Sequence, residues 1–139
     1  MADRNLFIKK LKKSLEFEYA ATIQYVQHAA VITGPQYDAI AKELVIHAGE
    51  ELEHAVQLSE IINNLGGAPT IDVEKRNISS DTVAMLEQDF AGEQVAIDGY
   101  KELIQMAREL NEPGTRQILE TILAKEEEHK RDLLDALAR

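Results

Sequence analysis

At 139 residues with 45 % apolar side chains, the chain is long enough for one well-packed core and short for two, so a single domain over residues 1–139 is expected. It has no cysteine, which excludes disulfides, thiolate zinc sites, iron–sulfur clusters and a cysteine nucleophile. The formal charge of −10 opposes nucleic-acid affinity and favours cationic ligands, and no stretch approaches the roughly 20 apolar residues of a membrane span; a soluble, cytoplasmic protein with no membrane partner is expected.

Leu, Ile, Val and Ala dominate the apolar set, Gly and Pro are scarce, and the class predicted is all-α. The first predicted helix runs from about Asp3 to Thr33 and stops at Gly34 and Pro35. Its inward seam, traced in alternating steps of three and four, reads Leu11, Leu15, Glu18, Thr22, Tyr25 and Ala29. Lys9, Lys10, Lys12 and Lys13 on the same segment read as a solvated face. The second helix, from about Pro35 to Leu65, has the seam Ile40, Leu44, His47, Glu51, His54, Leu58, Ile61 and Leu65. A polar stretch from Gly66 to about Ser80 follows, long enough to cross the length of a bundle.

The third helix, from about Asp81 to Leu110 with Ser80 or Asp81 as N-cap, carries Leu86, Phe90, Glu93, Ile97, Tyr100, Ile104 and Ala107. The fourth, from about Pro113 to Ala138 with Asn111 as N-cap and Pro113 in its first turn, carries Leu119, Ile122, Glu126, His129, Leu133 and Ala136. Four helices of about 40 Å, two short turns and one long link predict an antiparallel four-helix bundle with a long crossover between its second and third helices.

Each seam is apolar almost throughout and is interrupted at mid-length by a carboxylate, or by a carboxylate followed three residues later by an imidazole. Glu18 and Glu51 stand 33 positions apart across the first turn, as do Glu93 and Glu126 across the last, so each folded hairpin brings its polar residues level. The second half repeats the first at an offset of 75, like a duplicated hairpin. Ionised carboxylates facing one another in a low-dielectric interior cost several kcal/mol each unless compensated. No lysine or arginine occupies the seams, whereas two divalent metal ions would balance four carboxylates, with His54 and His129 adding nitrogen ligands. The three-residue spacing lets Glu51 with His54, and Glu126 with His129, reach a shared place from one helix face.

These residues resemble the ferritin superfamily, and most closely bacterioferritin, over nearly the whole chain: Glu18 and Tyr25, the Glu51 to His54 motif, the Leu65 to Thr70 stretch, Glu93, and the run from Arg116 to His129. The resemblance implies a ferritin-like fold and a ferroxidase holding two Fe ions, with Mn or mixed Fe/Mn as alternatives. In that reading Glu51 and Glu126 bridge the ions, Glu18 and His54 complete one place, Glu93 and His129 complete the other, and Tyr25 lies beside the centre. Fe(II) and O2 or H2O2 would be the reactants, for iron storage or detoxification.

Leu52 stands where bacterioferritin has its haem-ligating methionine, so haem is not expected. The chain ends about ten residues after His129, so the fifth helix that helps close the bacterioferritin cage is not expected either. A rubrerythrin-like oxidase or peroxidase that forms no storage cage is the alternative. It is disfavoured because Ala96 and Ile97 follow Glu93 and cysteines are lacking.

His47 with Glu50 is a candidate transit site for iron, His28 is expected to be exposed, and Glu53, Glu127 and Glu128 to face solvent or a partner. Leu6, Ile23, Val26 and Ile32, outside the seam, predict a homo-oligomer of at least two copies.

Overall fold

The computed structural model describes residues 3–139. Helix α1 spans Arg4–Val31, opened by the Asp3 carboxylate accepting from the Asn5 N–H at 2.8 Å. A single 3-10 turn, Pro35–Tyr37, leads into α2, Asp38–Asn64. Helix α3 spans Thr82–Glu109 and is capped by Asp81, which accepts from the Ala84 N–H; α4 spans Pro113–Ala136. These are the four predicted helices, and among the described residues none is long and apolar enough to cross a membrane.

The C-termini of α2, α3 and α4 share one device, in which a left-handed residue turns the chain so that two N–H groups reach back to the last carbonyls. Gly66 (φ +93°) does this for α2, with the Gly67 N–H on the Ile62 carbonyl at 2.9 Å. Gly67 must also lack a side chain, since a Cβ there would meet Ile8 Cγ2 at 2.7 Å. At α3 the left-handed residue is Asn111 (φ 55°), and Glu112 donates to the Ala107 carbonyl at 2.9 Å. Asn111 therefore terminates α3 and does not cap α4, whose N-cap is Glu112 with no side-chain capping bond. Asparagine suits both roles, and the tight turn decides between them.

Helices α1 and α2 pair as one hairpin and α3 and α4 as the other; α1 packs on α3 and α2 on α4. The crossover runs along α1 from end to end. It begins where Gly67 meets Ile8 and is held by Tyr19 donating to the Thr70 carbonyl at 3.2 Å. The Glu74 N–H bonds to the Glu16 carbonyl at 3.2 Å, and Gln24 donates to the Asn77 carbonyl at 2.5 Å. At the far end Thr82 Oγ1 donates to the Thr33 carbonyl at 3.0 Å.

The interior has two apolar parts. The larger, at the N-terminal end of α1, is built from residues such as Phe7, Leu11, Leu15, Leu58, Leu103, Leu119 and Ile122. The smaller, at the other end, is built from Tyr25, Ile40, Leu44, Ala48, Leu86 and Leu133. Each fully buried Leu, Ile or Phe contributes about 1.5–3 kcal/mol. These two parts clamp a polar layer between them.

Ile32, expected on the outer surface, packs against the smaller core part, while Leu6, Ile23 and Val26 are exposed as expected. Lys10 and Lys13 pair with Glu102 and Glu74, so that basic face is solvated but not unpartnered.

Candidate metal centre

The polar layer consists of the six residues at which the seams were interrupted. Glu18, Glu51, His54, Glu93, Glu126 and His129 are each at most 6 % exposed. They form two overlapping groups, Glu18, Glu51, His54 and Glu126 in one and Glu51, Glu93, Glu126 and His129 in the other, with one ligand atom of each residue within 4.8 Å of the rest of its group. Glu51 and Glu126 belong to both, the position in which a bridging carboxylate must stand. His54 Nδ1 lies 2.7 Å from Glu126 and 3.4 Å from Glu51; His129 Nδ1 lies 3.2 Å from Glu51 and 3.4 Å from Glu93.

Two tyrosines hold the outer carboxylates. Tyr25 donates to Glu93 at 2.5 Å, and Tyr100 donates to Glu18. Both pairs obey the 75-residue repeat, so the approximate two-fold relation of the ligands extends to the groups that orient them. Tyr100 was part of the predicted seam, but its likeness to Tyr25 becomes meaningful only once both hydroxyls are seen to end on a carboxylate. His129 has a further support: its Nε2 lies 3.3 Å from Glu50, which also pairs with Lys125 at 3.1 Å.

The electrostatics are those of a site short of positive charge. Burial, and then Glu18 and Glu93, push the Glu51 carboxyl well above its usual range; burial, and then Glu51 and Glu18, do the same to Glu126. Glu93 is held below its usual value: burial opposes this, but the nearby Glu126 and His129 and the bond from Tyr25 outweigh it. His54 is lifted to about 9: burial works against this, but the nearby Glu126 and Glu18 carboxylates outweigh it. Polar atoms left without a hydrogen-bond partner crowd here, among them Glu18 Oε2, Glu51 Oε1, His54 Nδ1, both Glu126 oxygens and His129 Nδ1. Such atoms are rare in a folded interior and mark a place shaped for something else. Oxygen and imidazole donors without sulfur fit iron or manganese.

A cavity of about 400 Å³ between α1 and α3 reaches Glu18, Glu51 and Glu93. The crossover residues Lys75, Arg76 and Asn77 line its outer side. A small molecule therefore has room to approach the carboxylates from the flank of the bundle.

Other predictions fare differently. Glu53, Glu127 and Glu128 are exposed. His28 is fully buried, not exposed: its Nδ1 lies 2.9 Å from Asp89, also buried, whose carboxyl burial lifts to about 6. His47 does not pair with Glu50. Its Nε2 lies 3.0 Å from Asp132 on α4, and its ring stacks on that of His129 with centroids 3.9 Å apart. Burial, and then the neighbouring His129, hold its pKa below the usual histidine value.

The chain matches the ferritin-like domain family over residues 8–139. It is 31 % identical over 123 residues to a bacterioferritin of Brucella melitensis, covering 88 % of this chain and 76 % of that one. With the nutrient stress-induced DNA-binding protein of a Nostoc species it shares 30 % identity over 130 residues, covering 86 % of this chain and 71 % of the other. A ferritin-like diiron-carboxylate protein of Bacillus anthracis superposes with a TM-score of 0.93 at 29 % identity over the full length of both chains. The bacterioferritin-related dodecameric thioferritin of Bacteroides fragilis superposes at 0.91 with 31 % identity, covering 99 % of this chain and 87 % of that one.

Proposed function

The chain belongs to the ferritin-like domain family, and on that premise we propose that it oxidises Fe(II) at a two-ion centre made by Glu18, Glu51, His54, Glu93, Glu126 and His129, in the service of iron storage or detoxification. One observation carries the reading: four buried carboxylates converge where, among the described residues, no lysine or arginine meets them. Two divalent ions would supply the missing charge and the missing partners of the orphaned oxygens.

When bound, iron supplies one electron per ion, enough together to reduce O2 to H2O2 or H2O2 to water with two protons. The protein's part is to gather and orient. Glu51 and Glu126 hold the two places together from opposite hairpins. Tyr25 and Tyr100 keep one oxygen of Glu93 and of Glu18 engaged, which fixes the direction of the other. Glu50 receives the Nε2–H of His129, which leaves Nδ1 of that ring turned toward the carboxylates. Oxygen-rich ligation favours Fe(III) over Fe(II), so the ligand set itself assists the oxidation.

Self-association belongs to the same proposal. Val45, Leu52 and Val56 are 61 %, 54 % and 51 % exposed and share one face of α2 with Gly49, and Ile23 and Val26 of α1 are exposed as well. Such a stripe is wide enough to be covered by a second copy. The DNA binding named for the Nostoc relative is not carried over, because a formal charge of −10 opposes contact with phosphates.

Stopped-flow absorbance under O2 and under H2O2 tests the activity. The wild-type protein should show a fast phase of Fe(II) oxidation that Glu51→Ala lacks while remaining helical, and the faster oxidant is the one used. A Glu51→Ala protein oxidising iron at the wild-type rate would sink the assignment.

A further inference from the structure

Among the described residues, the centre leaves one group of metal-capable side chains unused. Glu43 and His47 lie one turn apart on α2, Asp132 faces them from α4, and one ligand atom of each lies within 4.8 Å of the others. His47 is fully buried, and while its Nε2 reaches Asp132, its Nδ1 has no hydrogen-bond partner. Glu43 and Asp132 are half-buried and so remain open to solvent on one side. Among the described residues no lysine or arginine pairs with either; the one ion-pair partner of Asp132 is His47. Glu50, by contrast, is already engaged by Lys125 and His129 and stands outside the group.

The internal repeat supplies a control for whether packing requires these residues. The ligands and their tyrosines recur at an offset of 75, but Glu43 and His47 correspond to Ile118 and Ile122, and Asp132 corresponds to Gln57. At the other end of the bundle the equivalent corner is thus filled by apolar and neutral side chains, with Ile122 buried in the larger core part. A bundle corner of this shape closes without charge. The acid–imidazole–acid group is an addition confined to one end.

We propose that Glu43, His47 and Asp132 form a third cation site, which takes a divalent metal ion from solvent and passes it to the two-ion centre. Two carboxylates and one imidazole suit Fe(II), Mn(II) or Co(II), and three ligands at a half-buried rim hold an ion loosely enough to release it. The stacked rings of His47 and His129, with centroids 3.9 Å apart, place the rim site beside the centre. This inference rests on reading the six interior residues as the two-ion centre.

Crystals of wild-type protein and of the Glu43→Gln/Asp132→Asn variant, grown metal-free and soaked in Co(II), test it by anomalous diffraction, with calorimetric Co(II) titration beside them. Both substituted residues are half-buried and keep their shape, so the variant is expected to fold, as circular dichroism will show. Wild type should give anomalous density at the rim and among the six interior residues. The variant should lose the rim density and about one ion per chain while keeping the interior density. Its initial rate of Fe(II) oxidation should fall severalfold at low Fe(II) and be unchanged at saturation. Wild-type density confined to the six residues would overturn the third site, and so would a variant that retains its rim density. Rim density with none inside would overturn the transfer step by removing its acceptor, and would separately defeat the two-ion reading.

Discussion

Glu51→Gln should change the stability of the protein in opposite directions with and without metal. Glu51 is 1 % exposed, its Oε1 lies 3.2 Å from His129 Nδ1 and 3.4 Å from His54 Nδ1, and that oxygen has no hydrogen-bond partner. In the metal-free protein its charge is opposed by Glu18 and Glu93, so at neutral pH the layer either carries repulsion or takes up protons. Glutamine keeps the shape, removes the charge and can donate to a neighbouring carboxylate. Neutralising a buried ionic cluster in this way is worth about 1–3 kcal/mol. At about 3 °C per kcal/mol for a chain of this size, the metal-free variant should melt about 3–9 °C above wild type. With Co(II) at a hundred times its Kd, each occupied place stabilises the wild type by about 2.7 kcal/mol, roughly 5 kcal/mol for two. The variant has lost an oxygen common to both places and should gain less than half of that. Calorimetric melting in chelator and in Co(II) should therefore show the order of the two Tm values reversed. A metal-free variant melting at or below wild type, or equal gains on adding Co(II), would refute the reasoning.

Tyr25→Phe and Tyr100→Phe should each weaken one ion by about 10–100-fold in a calorimetric titration, and by similar factors, because the repeat makes the two contacts equivalent. His28→Leu alone leaves Asp89 buried without its partner and should cost about 3–5 kcal/mol in urea unfolding, whereas His28→Leu with Asp89→Ser, copying Leu103 and Ser14 of the other half, should recover most of that. The metal-free Tm should fall as pH rises from about 5 to 9. His54, raised from 6.5 to about 9, stabilises fully below 6.5 and loses that stabilisation as pH climbs through 9. Glu51 and Glu126, raised above 4.5, keep protons that the unfolded chain has already released, so their contribution falls in the same direction. Bound metal displaces those protons, and a Tm series with saturating Co(II) should lose this slope or invert it.

Helix number, helix order and the six interior residues could all be read from the sequence, because a seam with a period of three and four exposes any polar residue placed in it. Equal spacings across the two turns showed that each hairpin brings its polar residues level, while the place of Glu51 in both groups was implied only by the resemblance to bacterioferritin. What periodicity could not supply was partnership across helices. His28 reads as a flanking polar residue until Asp89, 61 positions away, is found to bury it. His47 and Glu50 are neighbours on one helix turn, yet one turns to Asp132 and the other to Lys125 and His129. Asn111 shows a local limit of the same kind, since a residue between two helices can end the first or start the second. The path of the crossover along α1 rests on scattered backbone contacts that leave no repeating signature.

The sharing of Glu51 and Glu126 has a consequence for how the two halves of the chain depend on each other. Neither hairpin can complete a coordination group from its own residues; each needs one carboxylate from the other. Holding an ion would then be a measure of whether the hairpins are docked, and bound ions would act as a clasp across their seam. The crossover contributes none of the six residues, so its task is that of a tether that keeps the hairpins at high effective concentration. Chain continuity between residues 66 and 80 would then matter for how quickly the halves find each other, and far less for whether they stay together once the clasp has closed.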